Sequence, residues 1–172
     1  ILDGKLIEDS KDWKYLLENN CADKERLESI IERGGWTAAV DFPASICWEQ
    51  LMEIYPNAKV IHTERISPEK WWESASNSIM VAGKKPLLRL MVKFLPFWKA
   101  QYSLMGSLYV SLAKKRVDRS HPGWPSIYKN EFLEAYSANN DRVRELVPSD
   151  RLLIQDHGKG WILLAKFLGK DI

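Results

Sequence analysis

Ala58-Lys59-Val60-Ile61-His62-Thr63-Glu64-Arg65-Ile66-Ser67-Pro68-Glu69 is the stretch on which the fold turns. The run from Ala58 to Thr63 follows the breaker Pro56-Asn57 and is rich in β-branched residues, so it reads as a strand. Ser67-Pro68-Glu69 then supplies an N-cap, a first-turn proline and an acidic residue, the chemistry of a helix start. Strand, loop and helix follow one another within a dozen residues. The same order occurs upstream, where Trp36-Thr37-Ala38-Ala39-Val40 is a compact uncharged run ended by Asp41. Pro43 there opens a helical pattern carrying Ile46, Trp48, Leu51, Met52 and Tyr55. Downstream, Arg151-Leu152-Leu153-Ile154-Gln155 reads as a third strand, followed by Gly158-Lys159-Gly160 and a helix from Trp161 to Leu168 closed by Gly169. Strands alternating with helices predict an α/β fold, a parallel sheet flanked by helices.

The remaining segments are helical. Ser10 to Asn19, with Ser10 as cap, and Lys24 to Arg33, stopped by Gly34-Gly35, read as short surface helices. Lys84 to Arg116 is apolar on most faces and divided by Pro86 and Pro96, with Gly106 allowing close packing, the pattern of a core segment. His121 to Pro125 is an irregular connection. Phe132, Leu133, Tyr136, Val143, Leu146 and Val147 mark one face of a long helix ending at Pro148.

Composition limits the function classes. A chain of 172 residues, 45% apolar with eight tryptophans, has the size and the core material of a single domain spanning residues 1–172. A net charge of +2 argues against a nucleic-acid partner held by overall charge, so any anion site must be local. Cys21 and Cys47 lack CxxC spacing and no secretory leader is visible, which points to a reducing, cytoplasmic setting. Ala100 to Ala113 is uncharged but shorter than the about 20 residues a membrane span needs, so no span is expected. His62, His121 and His157 are too scattered to form a metal site or a triad.

In an open parallel sheet, ligands bind beyond the carboxyl ends of the strands. Three places fall there: Asp41, Arg65 and the loop from Asp156 to Gly160. Asp41 suits a general base that accepts a proton from a bound hydroxyl or amine; a helix cap is the competing reading. Arg65, between a strand and a helix start, can grip a phosphate while helix-end amides add donors, against the alternative of a surface ion pair with Glu64 or Glu69. Ser74 shares a helix face with Ser67 and could add a hydroxyl to the same anion, where a solvated serine is the plainer reading. His157, Gly158 and Lys159 form a turn able to approach a ligand, although such turns are more often only solvated. The aromatic group Phe94, Phe97, Trp98, Tyr102 and Tyr109 reads as core more readily than as a substrate pocket.

Taken together, the motifs resemble one family. They are Val40-Asp41-Phe42-Pro43-Ala44, then Tyr55-Pro56-Asn57-Ala58-Lys59-Val60-Ile61 with Arg65-Ile66-Ser67-Pro68-Glu69-Lys70-Trp71, and Val147-Pro148-Ser149-Asp150-Arg151-Leu152-Leu153 with Gly160-Trp161 and Lys166-Phe167-Leu168-Gly169. The family is the P-loop sulfotransferase-like one that includes the schistosome drug-activating sulfotransferases, and the likeness runs in order over roughly residues 10 to 169. It implies a nucleotide-kinase-like fold and transfer of a sulfuryl group from 3′-phosphoadenosine 5′-phosphosulfate to a hydroxyl or amine of a small molecule. It implies Asp41 as general base, Arg65 and Ser74 as holders of the donor's 3′-phosphate, and His157, Gly158 and Lys159 toward the adenine side. Homodimerisation is compatible with the resemblance, and the acceptor is not legible.

The sequence departs from that pattern in three respects. No GxxxxGK[ST] or comparable glycine-rich segment occurs between Ile1 and Ile172, so the family's first strand and phosphate loop are expected before Ile1. This leaves a fragment of a transferase beside an alternative, a non-catalytic nucleotide-binding or scaffolding relative that has lost the loop. A P-loop kinase is disfavoured, because neither a Walker-type lysine nor a magnesium-binding serine is visible. Ile66 stands where relatives usually carry aspartate, and Asn139-Asn140 where a histidine is common.

Overall fold

A computed structural model describes residues 2–81, 84–156 and 160–170. In chain order the elements are α1 (Leu2–Glu18), α2 (Lys24–Gly34), α3 (Trp48–Ile54), β1 (Val60–Glu64), α4 (Pro68–Asn77), α5 (Pro86–Phe94), α6 (Pro96–Ala113), α7 (Lys129–Leu146), β2 (Leu152–Asp156) and α8 (Ile162–Leu168). They fall into two compact units, one formed by Ile1–Pro56 with Val81–Ser120, the other by Asn57–Met80 with His121–Ile172. The first is helical and the second holds the sheet.

The helical unit is organised by α1, which is longer than the expected surface helix and lies against α6. Ser10 is not its cap. It sits buried in mid-helix and accepts a hydrogen bond from Gln101 Nε2 at 2.8 Å, while Ser107 Oγ donates to Glu18 at 3.1 Å. Two polar links thus tie α1 to α6. The core of this unit is Leu16, Cys21, Leu27, Ile30 and Cys47, with Trp13, Leu51 and Ile54 around it. Helix α2 starts at Asp23, whose carboxylate accepts the Arg26 N–H at 3.0 Å, and stops at Gly35, which takes the left-handed conformation that a residue with a Cβ adopts reluctantly. Cys21 and Cys47 are joined as a disulfide, a pairing more usual in an oxidising compartment than in the reducing setting expected above. Among the described residues no helix is long and apolar enough to cross a membrane.

Pro86 and Pro96 each begin a helix, as the sequence indicates, and Gly106 permits close packing. A Cβ there would lie 3.1 Å from Arg119 Nη2. That guanidinium sits 3.8 Å from the Tyr102 ring centroid and donates to the Tyr102 carbonyl at 3.1 Å. The core assignment holds for α6, which buries Leu104, Leu108, Tyr109 and Ala113, but not for α5, which buries none of its residues. Leu87, Leu90 and Phe94 are exposed.

In the sheet unit, β1 and β2 pair in parallel, Val60 opposite Leu152 through Glu64 opposite Asp156. The α/β class therefore stands, with a two-stranded parallel sheet among the described residues. The strand expected at Trp36–Val40 does not form. Trp36 is 65% and Val40 80% exposed, and no described strand offers that segment a ladder, without which an extended run has no partner for its amides. Nor does one helix open at Pro43: a short 3₁₀ turn, Ala44–Ile46, precedes α3. The core of the sheet unit is aromatic. Phe132 is fully buried, with the Trp72 and Trp124 rings centred 6.0 and 6.1 Å away, and the Trp124 indole donates to the Met80 carbonyl at 2.8 Å. Of the expected α7 face, Phe132, Val143 and Val147 are buried while Leu146 is exposed.

Candidate functional site

Alternation along β1 turns His62 and Glu64 inward, while Ile61 and Thr63 are exposed. With Nε2 protonated, His62 donates to Asn140 Oδ1 at 3.1 Å, and Arg144 holds Glu64 Oε2 at 2.5 Å. Glu64 Oε1 lies 3.3 Å from the same His62 nitrogen yet makes no hydrogen bond, because the ring's single Nε2 proton is directed at Asn140. His62 is thus a structural histidine tying β1 to α7.

One residue further, the chain leaves the strand and the Arg65 backbone N–H donates to the Tyr136 hydroxyl at 2.9 Å. The Tyr136 ring stacks on Trp71, centroids 4.7 Å apart and planes 15° from parallel. The β1–α4 turn is therefore clamped from α7 and α4 while the Arg65 side chain is exposed. The expected ion pair with Glu64 or Glu69 is absent. Arg144 occupies Glu64, and the Glu69 carboxyl is held below its ordinary range by its own backbone N–H and by the Ser67 hydroxyl. Arg65 is thereby left as an exposed cation at the start of a ten-residue helix, whose first amides carry partial positive charge. Ser67 caps that helix by accepting the Lys70 N–H at 3.3 Å, as its position after the strand suggests. Ser74, two turns on, is exposed on the face that carries Ser67. Ile66 is 91% exposed beside Arg65.

Asp41 belongs to the helical unit, Arg65 and Ser74 to the sheet unit. Asp41 is exposed in a turn rather than at a strand end, with φ of 55°. Its Oδ1 accepts the Phe42 N–H at 2.7 Å and its carbonyl accepts the Ser45 N–H at 2.9 Å. The side chain stabilises its own turn at an exposed position. His157, Gly158 and Lys159 lie outside the described residues, and no group of three metal-ligating side chains occurs among those described. The aromatic group of the middle segment divides: Tyr109 is buried, Phe97, Trp98 and Tyr102 are half-buried, and Phe94 is exposed. A shallow pocket of 190 Å³ lined by Leu88, Arg89, Val92 and Tyr102 lies between α5 and α6.

Sequence reasoning missed Tyr136 and Trp71. Tyr136 appears in the sequence as one more member of an apolar helix face, and only its phenolic oxygen, which needs a partner when half-buried, hinted at a polar task.

A family model described as the sulfotransferase domain matches residues 1–172. The chain belongs to the sulfotransferase domain family. A protein of Aspergillus versicolor described as "Ava biosynthesis cluster protein M" is 29% identical over 135 residues, 78% of this chain and 50% of that protein. This sulfotransferase-family chain spans about half the length of the curated relative it matches. The family assigned from the sequence motifs is thus the one the family model returns.

Proposed function

We propose that this chain belongs to an enzyme that moves a sulfuryl group from 3′-phosphoadenosine 5′-phosphosulfate to a hydroxyl or amine of a small molecule, with residues 1–172 as a single sulfotransferase-like domain. The observation that carries the reading is the β1–α4 turn. An arginine whose backbone is clamped by Tyr136 and whose guanidinium no described acidic residue occupies fits a phosphate, and the helix start adds amide donors. Arg65 and Ser74 hold the donor's 3′-phosphate, one by charge and one by a hydroxyl hydrogen bond. Asp41 takes the acceptor's proton on its exposed carboxylate while the Phe42 amide fixes that group's orientation. Bound, the donor supplies an electrophilic sulfur; the chain's part is to orient the two reactants and to hold the proton. His157, Gly158 and Lys159 are assigned to the donor's adenine side by family resemblance.

A second reading, a nucleotide-binding or scaffolding relative without catalysis, is motivated by the lack of a glycine-rich phosphate loop between Ile1 and Ile172. Two measurements on the intact encoded protein separate the readings. Calorimetry with adenosine 3′,5′-bisphosphate should show binding that Arg65→Ala weakens, and a radiolabelled sulfate-transfer assay over an acceptor panel should show turnover. Binding without turnover selects the scaffold, and no binding removes both. A cytoplasmic setting is part of the proposal, with the Cys21–Cys47 bond standing against it. Thiol labelling in freshly lysed cells decides which redox state prevails.

A further inference from the structure

Charge is distributed unevenly along this chain. From Ser74 to Val117 there is no Asp or Glu but eight Lys and Arg, so with a total of +2 the rest of the sequence carries −6. Five of those cations, Lys84, Lys85, Arg89, Lys93 and Lys99, lie on α5 or directly beside it, and all five are exposed. Helix α5 has three stripes. Leu88, Met91 and Val92 are half-buried, and two of them line the α5–α6 pocket. Arg89 and Lys93 form a basic ridge. Leu87, Leu90 and Phe94, spaced three and four apart on one face, are 69%, 55% and 65% exposed. Lys93 Nζ lies 5.3 Å from the Phe94 ring centroid, so a cation sits at the rim of the apolar stripe.

An exposed apolar stripe bordered by cations is the pattern that lies flat in the headgroup layer of an anionic membrane. The apolar side chains enter the acyl boundary and the lysines and arginines meet lipid phosphates and carboxylates. The geometry points to α5 and its flanks as a peripheral docking surface for anionic phospholipid. A second copy of the chain fits less well, because apposing two α5 faces would bring like-charged ridges together. The inference is independent of sulfuryl transfer, since it concerns a different face and its readout needs no donor.

Co-sedimentation of the intact protein with lipid vesicles tests it. Vesicles of phosphatidylcholine with about one third phosphatidylserine should pull the protein down at low salt, and high salt should release it. Vesicles of phosphatidylcholine alone should bind at least tenfold less. The R89E/K93E and L90S/F94S variants change exposed positions, so each should keep the wild-type melting temperature and lose at least tenfold in partition. Absence of binding to charged vesicles, equal binding to both vesicle types, or full binding by both variants at wild-type stability overturns the inference. So does a wild-type dimer in solution that L90S/F94S makes monomeric without any vesicle binding, which would assign the face to a second copy.

Discussion

The Tyr136 hydroxyl accepts the backbone N–H of Arg65 at 2.9 Å, across 71 residues of sequence, while its ring stacks on Trp71 of the helix that Arg65 introduces. One side chain thereby sets both ends of the turn that presents the proposed phosphate-binding guanidinium. Tyr136→Phe keeps the stack and deletes only the hydrogen bond. The bond is present without ligand, so its loss should cost about 1 kcal/mol of stability, roughly 2 to 4 °C in melting temperature, and the loosened Arg65 turn should weaken binding of adenosine 3′,5′-bisphosphate by calorimetry. Unchanged affinity would show that the turn does not depend on the tyrosine.

Asp41→Asn isolates chemistry from structure. Asparagine tolerates the left-handed backbone found at φ of 55° and can still accept the Phe42 N–H. The variant should therefore melt like the wild type and bind the bisphosphate nucleotide normally, while sulfate transfer falls roughly a hundredfold or more. Full transfer by a folded Asn variant would remove Asp41 from the mechanism.

The Cys21–Cys47 bond ties the end of α1 to the turn before α3, across a separation of 26 residues and inside the helical core. Loop-closure entropy puts its contribution at about 3 to 4 kcal/mol. Reductant should lower the melting temperature by roughly 10 °C in a chain of this size. The C21A/C47A variant should melt low and show no response to reductant. A wild type indifferent to reductant would mean that the bond does not constrain the unfolded chain.

Tyr109 is buried in α6, and burial pushes its hydroxyl up to about 12, against a partial opposing pull from Arg119. The folded state thus holds the proton more tightly than the unfolded chain, whose tyrosines release it near pH 10. This stabilisation is fully present below about pH 10 and is lost as pH rises toward 12, on the order of 3 kcal/mol in all. Urea titrations should show stability falling across that window, less steeply in Tyr109→Phe. Identical slopes would indicate that the alkaline transition belongs to other groups.

Local chemistry determined much of what the sequence disclosed. Ser67, Gly35 and Gly169 bound helices because capping depends on a few adjacent residues. Pro86 and Pro96 start helices because proline cannot continue one, and the β1–α4 junction with Arg65 was legible from the run Ala58 to Glu69 alone. Tertiary structure decided what depends on partners distant in sequence. Trp36 to Val40 has strand composition but no described neighbour to pair with, so composition could not make it a strand. Ser10 reads as a cap until Gln101 arrives from α6, and Leu87, Leu90 and Phe94 read as core until packing leaves them exposed. Tyr136 became part of the Arg65 turn only when α7 came to lie alongside α4. Conformational preferences act within a few residues, whereas burial and hydrogen-bond satisfaction are settled by whichever remote groups the completed fold brings near.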